Sequence, residues 1–132
     1  MSQENVEIVR AALAAYMSND EAAWRALASG DVVVSARPDQ PDPVDHQGFD
    51  GPSRAAAEWL DAWDEHTFEA VRFWDSGEHV FVSIRESGRG RTSGVPMQTE
   101  STFVYTVSEG KIVHIRIFSS QDEALKAVGL AE

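Results

Sequence analysis

Few side chains in this chain can do chemistry. There is no cysteine, which removes disulfides, thiolate metal sites and thiol nucleophiles. The four histidines, at positions 46, 66, 79 and 114, show no metal-ligand spacing. No nucleophile elbow, phosphate-binding loop or dinucleotide glycine pattern occurs. The glycines of Gly88-Arg89-Gly90-Arg91 fall in a strand-and-turn region and read as bulge or edge residues. What remains is a carboxylate, Glu100, that strand pairing sets on one face with Arg85 and Arg89, and a hydroxyl, Tyr16, at the end of a helical stripe. His46 lies in a loop, where a lone histidine is more often solvated than a ligand or base.

The pairing that positions Glu100 follows from three β-rich runs, Val80–Arg91, Val95–Val107 and Lys111–Ser119, joined by two short turns. Glu109-Gly110 is the clearer turn, of the two-residue hairpin kind. If Ser108 opposes Lys111, then Thr106 opposes Val113, Val104 opposes Ile115 and Thr102 opposes Ile117. If Arg91 opposes Pro96 across the first turn, then Arg85 opposes Thr102 and Ser87 opposes Glu100. Strict alternation then puts Phe81, Ser83, Arg85, Ser87, Glu100, Thr102, Val104, Ile115 and Ile117 on one face, taken as concave. Val80, Val82, Ile84, Glu86, Phe103, Tyr105, His114, Arg116 and Phe118 fall on the other. A one-residue slip in the first turn exchanges Arg85 and Glu86.

The elements upstream read as helices covering that sheet. Val6, Val9, Leu13 and Tyr16 make one stripe of a first helix ending near Met17. Tyr16 is either a core tyrosine or a donor into the cavity. Ser18-Asn19-Asp20-Glu21 is a capping box for a short second helix that ends near Ser29-Gly30. Val32-Val33-Val34 follows as a short strand. Arg37–Asp50 holds three prolines and four acids and reads as a loop without regular structure, a lid or a rim. Gly51-Pro52-Ser53 opens a third helix in which Trp59 and Trp63, one turn apart, form a core or cavity wall. Thr67–Asp75 is a strand carrying Phe68 and Phe73. Ser120-Gln121-Asp122-Glu123 caps a short final helix.

The chain of 132 residues is read as one α+β domain, 1–132: a curved, cone-shaped antiparallel or mixed sheet, three N-terminal helices on its concave face, and a short C-terminal helix. A net charge of −11 without a basic patch argues against a nucleic-acid partner. No apolar run is long enough to span a membrane and no signal peptide is visible, so cytoplasm is the default location.

The stretches ENVEIVRAALAAYMSND, ARPD, GFDG, EWLDAW, GRGRTSGV, VYTVSEGKIVHIR and DEALKAVGL resemble the nuclear-transport-factor-2-like superfamily, and within it the small bacterial SnoaL-like proteins. The resemblance implies a pocket between helices and sheet, and commonly a homodimer through the outer sheet face, here Phe103, Tyr105, His114, Arg116 and Phe118. It also implies a choice of chemistries. A ketosteroid isomerase needs a tyrosine, which Tyr16 supplies. It also needs a base near Ala36-Arg37 and an acid near Thr102, both missing. A limonene-type epoxide hydrolase needs two carboxylates bridged by an arginine, and the concave face offers one acid. A polyketide cyclase uses a sheet aspartate, for which Glu100 is the only comparable group.

Two readings stay open. One is a pocket for a small, largely apolar molecule with no assignable activity. The other is a cofactor-independent acid–base enzyme, with Glu100 as acid or base, Tyr16 as oxygen donor and Arg85 as stabiliser. In both, Trp63, Phe73, Ser87, Thr102, Val104, Ile115 and Ile117 contact the ligand, and neither metal nor cofactor is implied.

Overall fold

The structure is a computed structural model that describes residues 2–35 and 45–129. In chain order the elements are α1 (Ser2–Met17), α2 (Glu21–Leu27), β1 (Ala28–Ser35), β2 (His46–Gln47), α3 (Gly51–Leu60), β3 (Trp63–Ser76), β4 (His79–Gly90), β5 (Pro96–Ser108), β6 (Lys111–Phe118) and α4 (Gln121–Ala127). The strands form one open mixed sheet in the order β2-β1-β6-β5-β4-β3, with β1 parallel to β6 and every other pair antiparallel. This is the α+β architecture that the sequence implies.

Local chemistry explains several boundaries. Asp20, rather than Ser18, caps α2 by accepting from the Ala23 N–H, while the Ser18 hydroxyl folds back onto the Ala14 carbonyl. Ser120 caps α4 through the Glu123 N–H. Glu109 and Gly110 both take positive φ, 51° and 78°, as a turn matching the strand twist requires. Part of the expected loop is ordered strand: His46 and Gln47 pair with Val34 and Val33. Residues 37–44 of that loop, and with them the expectation of a lid or rim there, lie outside the described residues.

Helices α1, α2 and α3 cover the sheet face opposite to the one taken as concave. Val6, Val9 and Leu13 of α1 pack with Val80, Val82, Ile84, Tyr105, Ile112 and Ile115. Val80, Val82 and Ile84 are fully buried, and burying each stabilises the fold by about 1.5–3 kcal/mol. Placing Ser83, Arg85 and Ser87 there instead would strip polar groups of water without partners. On the outer face Phe81, Val104 and Phe118 form a second, smaller cluster closed by Ala124 of α4.

Two of the expected pairings are set differently in the structure. Across β4 and β5, Arg85 opposes Glu100 and Arg89 opposes Pro96. The connection is longer than expected because the Gly90 N–H bonds to the Val95 carbonyl and Gly94 turns at φ 71°. The shift is two residues, so each side chain keeps its face. Across β5 and β6 a bulge at Val113 moves the pairing by one: Val107 opposes Ile112, but Thr106 opposes His114 and Tyr105 opposes Ile115. That extra residue puts Ile115 and Ile117 on the face of Phe103 and Tyr105, and sends His114, Arg116 and Phe118 outward.

Candidate functional site

A cavity of about 350 Å³ lies between helices and sheet, at the small end of ligand pockets. Helix α1 contributes Ala12, Leu13, Tyr16 and Met17, α2 contributes Trp24, and α3 contributes Pro52, Ala56, Trp59 and Leu60. From the sheet come Val34, His66, Phe68, Glu86, Phe103, Tyr105 and Ile115. Four aromatic rings run in sequence along one wall. Tyr16 meets Phe68 at 6.4 Å between centroids, Phe68 meets Phe103 edge-on at 5.9 Å, and Phe103 stacks on Tyr105 at 6.5 Å.

Glu86 sits in this apolar setting with only 3 % of its surface exposed. The Val80-Val82-Ile84-Glu86 alternation of β4 carries it inward, one step beyond the fully buried core. Trp59 Nε1–H donates to Glu86 Oε2 at 2.9 Å, and His66 Nε2 lies 2.6 Å from the same oxygen. An ionised carboxylate only accepts, and toward one His66 Nε2–H is the donor. Both bonds end on Oε2, and Oε1 bonds to no described residue. A buried carboxyl without donors would be costly, so α3 and β3 hold it in one orientation.

Backbone irregularity brings His66 there. One extra residue separates the Asp64–Arg89 and Thr67–Ser87 pairs, and Glu65 takes φ 55°. Beyond that bulge Phe68 opposes Glu86, and His66, two residues earlier on β3, shares their face. Burial raises the Tyr16 pKa, and the nearby Glu86 carboxylate raises it further. Burial also raises that of Tyr105, with Tyr16 adding to it. Both phenols stay hydroxyls, able to donate, to higher pH than an exposed tyrosine. Trp24 Nε1–H is committed to the Phe49 carbonyl at 2.7 Å.

Of the residues singled out from the sequence, Tyr16 and Ile115 line this cavity. Glu100 and Arg85 do not. They lie exposed on the outer face, where Arg85 sits 3.5 Å from Glu100 and 3.8 Å from Glu69. Ser87 shares that face and bonds to Thr67. Thr102 and Val104 are buried, with Val104 beneath α4. Trp63 belongs to β3 rather than α3 and supports Trp59 from 5.5 Å without reaching the cavity. Phe73 and Ile117 pack against the main core, Phe73 under the Arg10 guanidinium at 4.2 Å. Phe103 and Tyr105, expected on an outer dimer surface, face inward, and Phe118 is covered by α4.

His66 and Glu86 went unrecognised in the sequence because neither belongs to a motif. The only signal was the apolar alternation through Ile84, which continues into Glu86. Among the described residues no group of three or more histidine or acidic side chains is placed to hold a metal. No described helix is long and apolar enough to cross a membrane.

Comparison with known proteins fits this geometry. No curated protein matches the chain. An NTF2-like protein from Burkholderia xenovorans is 27% identical and superimposes with a TM-score of 0.70, with 89% of each chain covered. A protein of ketosteroid isomerase-like fold from Catenulispora acidiphila, solved with trimethylamine, is 18% identical (TM-score 0.66, 94% of this chain and 93% of that one). TerC, co-crystallised with polyporic acid, is 15% identical (TM-score 0.70, 93% and 96%). The latter two likenesses concern the fold alone. Residues 9–115 match the SnoaL-like domain, and the chain belongs to that family, within the NTF2-like superfamily.

Proposed function

We propose that this protein binds a small, largely apolar molecule in the cavity and orients it by a polar contact to Glu86. The observation that carries this reading is a carboxylate 3 % exposed, with both of its hydrogen bonds on one oxygen, in an otherwise apolar and aromatic hollow. Sites of this kind take specificity from few polar groups and affinity from apolar contact. That two proteins of the same fold were solved with small molecules agrees with it. The reading is tested by filling the hollow: Ala56→Trp keeps the fold by circular dichroism and abolishes the ligand-induced rise in melting temperature. An undiminished rise in the filled variant contradicts it.

A second reading, acid–base catalysis without cofactor, is favoured by the 2.6 Å His66–Glu86 contact. Glu86 would take a proton from a carbon acid, and the Tyr16 hydroxyl would donate to the oxygen that gains charge. Glu86→Gln then slows solvent-deuterium incorporation into a bound carbon acid by about 10²–10⁴-fold; an equal rate removes Glu86 from the chemistry. A homodimer through the outer sheet face would be built on Arg85, Glu100, His114 and Arg116, since Phe103 and Tyr105 are turned inward.

A further inference from the structure

We propose that the molecule the cavity takes is a small primary or secondary amine, bound as its ammonium ion. The proposal rests on the cavity being a ligand site, as argued above, and adds the charge of the ligand.

Among the described residues no lysine, arginine or amide side chain lines the cavity. A carboxylate or phosphate guest would meet Glu86 with His66 as the one described neighbour able to carry positive charge, and low-dielectric surroundings penalise two adjacent anions heavily. Glu86 is itself only half provided for. Trp59 Nε1–H is a neutral donor and His66 Nε2 is the second partner, and both meet Oε2. Oε1 keeps its lone pairs for a guest. A ligand N–H⁺ supplies what Oε1 lacks, a donor, and makes that bond charge-assisted.

The walls suit the same guest. Tyr16, Phe68, Phe103 and Tyr105 run ring against ring along one side, with Trp59 on α3 anchoring the acid. Aromatic faces attract organic cations through the ring quadrupole, most strongly when water is excluded. Tyr16 and Tyr105 are neutral phenols at pH 7, so among the described lining residues the Glu86 carboxyl is the one acidic side chain. An ammonium head at Glu86 leaves the hydrocarbon body to apolar lining residues such as Leu13, Leu60 and Ile115.

The test is titration calorimetry on the whole protein at pH 7 and 0.15 M salt with three matched probes: benzylamine, benzyl alcohol and benzoate. Benzylamine should bind at least about tenfold more tightly than benzyl alcohol, a difference of about 1.4 kcal/mol, and benzoate least. Glu86→Gln should bring the amine to the level of the alcohol. Glu100→Gln, which removes one surface charge, should leave the preference intact, separating the site from the general attraction of a chain of net charge −11. Phe103→Leu should weaken the amine more than the alcohol. The proposal is overturned if the alcohol binds as well as the amine, if benzoate binds best, or if Glu86→Gln retains the amine preference. If none of the three probes binds, the ligand-site reading falls with it, whereas equal binding of amine and alcohol sinks only the charge assignment.

Discussion

Glu86 is the residue on which the candidate site turns, and its support can be measured. Trp59→Phe removes one of the two bonds to Oε2 while keeping a ring in place. Loss of a hydrogen bond to a charged, buried acceptor costs about 1–3 kcal/mol; denaturant titration should find that loss, and an unchanged midpoint would mean that the indole N–H is not holding the acid. The tyrosines give a second handle. Tyr16 and Tyr105 have pKa values raised above the ordinary 10.0 by burial. The unfolded chain therefore releases these protons first as pH rises. Their contribution is intact below about pH 10 and is lost above it. Tyr105→Phe should flatten the fall in melting temperature between pH 9 and 11, and an equally steep fall in that variant would contradict the assignment. At this scale the sequence was least legible. Glu86 and Arg85 are neighbours on β4, and only the choice of covered face decides which looks inward.

At the scale of elements the sequence was far more informative, because helix stripes and turn residues are local. The helix ending at Met17, the Glu109-Gly110 turn and the Ser120 cap stand where their residues imply. Bulges were not legible. Val113 on β6 and Glu65 on β3 interrupt alternation without a glycine or proline to announce it. One kept Ile115 in the cavity; the other delivered His66 to it. The covered face was misread because the polar run Ser83-Arg85-Ser87 looked like the mouth of a pocket. The fully apolar Val80-Val82-Ile84 run was the better guide to what lies under helices. The hairpin that fixes β5 against β6 depends on left-handed backbone at Gly110, φ 78°. Gly110→Val should destabilise by about 1–2 kcal/mol, read from chemical denaturation. A neutral result would indicate that the turn relaxes without loss of register.

For the molecule as a whole, an α+β cone was readable from the order of helices and strands, and the ligand was not, since no motif specifies it. One property belongs to the outer face rather than to the cavity. His79 and His114 both have lowered pKa values, from burial first and then from Arg116, with Glu78 and Asp45 opposing the shift at His79 and His114 respectively. His79 bonds to Thr106 and His114 to Ser35. The folded state holds both rings neutral more firmly than the unfolded chain does. The stability this confers is present above about pH 6.5 and lost as pH falls through the folded values. Melting temperature should therefore drop below pH 6.5, and Arg116→Gln should lessen the drop; a variant with the same acid sensitivity would exclude Arg116 as a cause.

The central claim is that the face of Glu86, not that of Glu100, looks into the ligand cavity. Its most direct test is a ¹H–¹⁵N titration of the whole protein with benzylamine, following the Trp59 indole N–H and the His66 ring. Both signals should move on binding, with the backbone of Phe103 and Tyr105, while Arg85 and Glu100 stay still. Movement confined to Arg85, Glu100 and their outer-face neighbours would contradict the account.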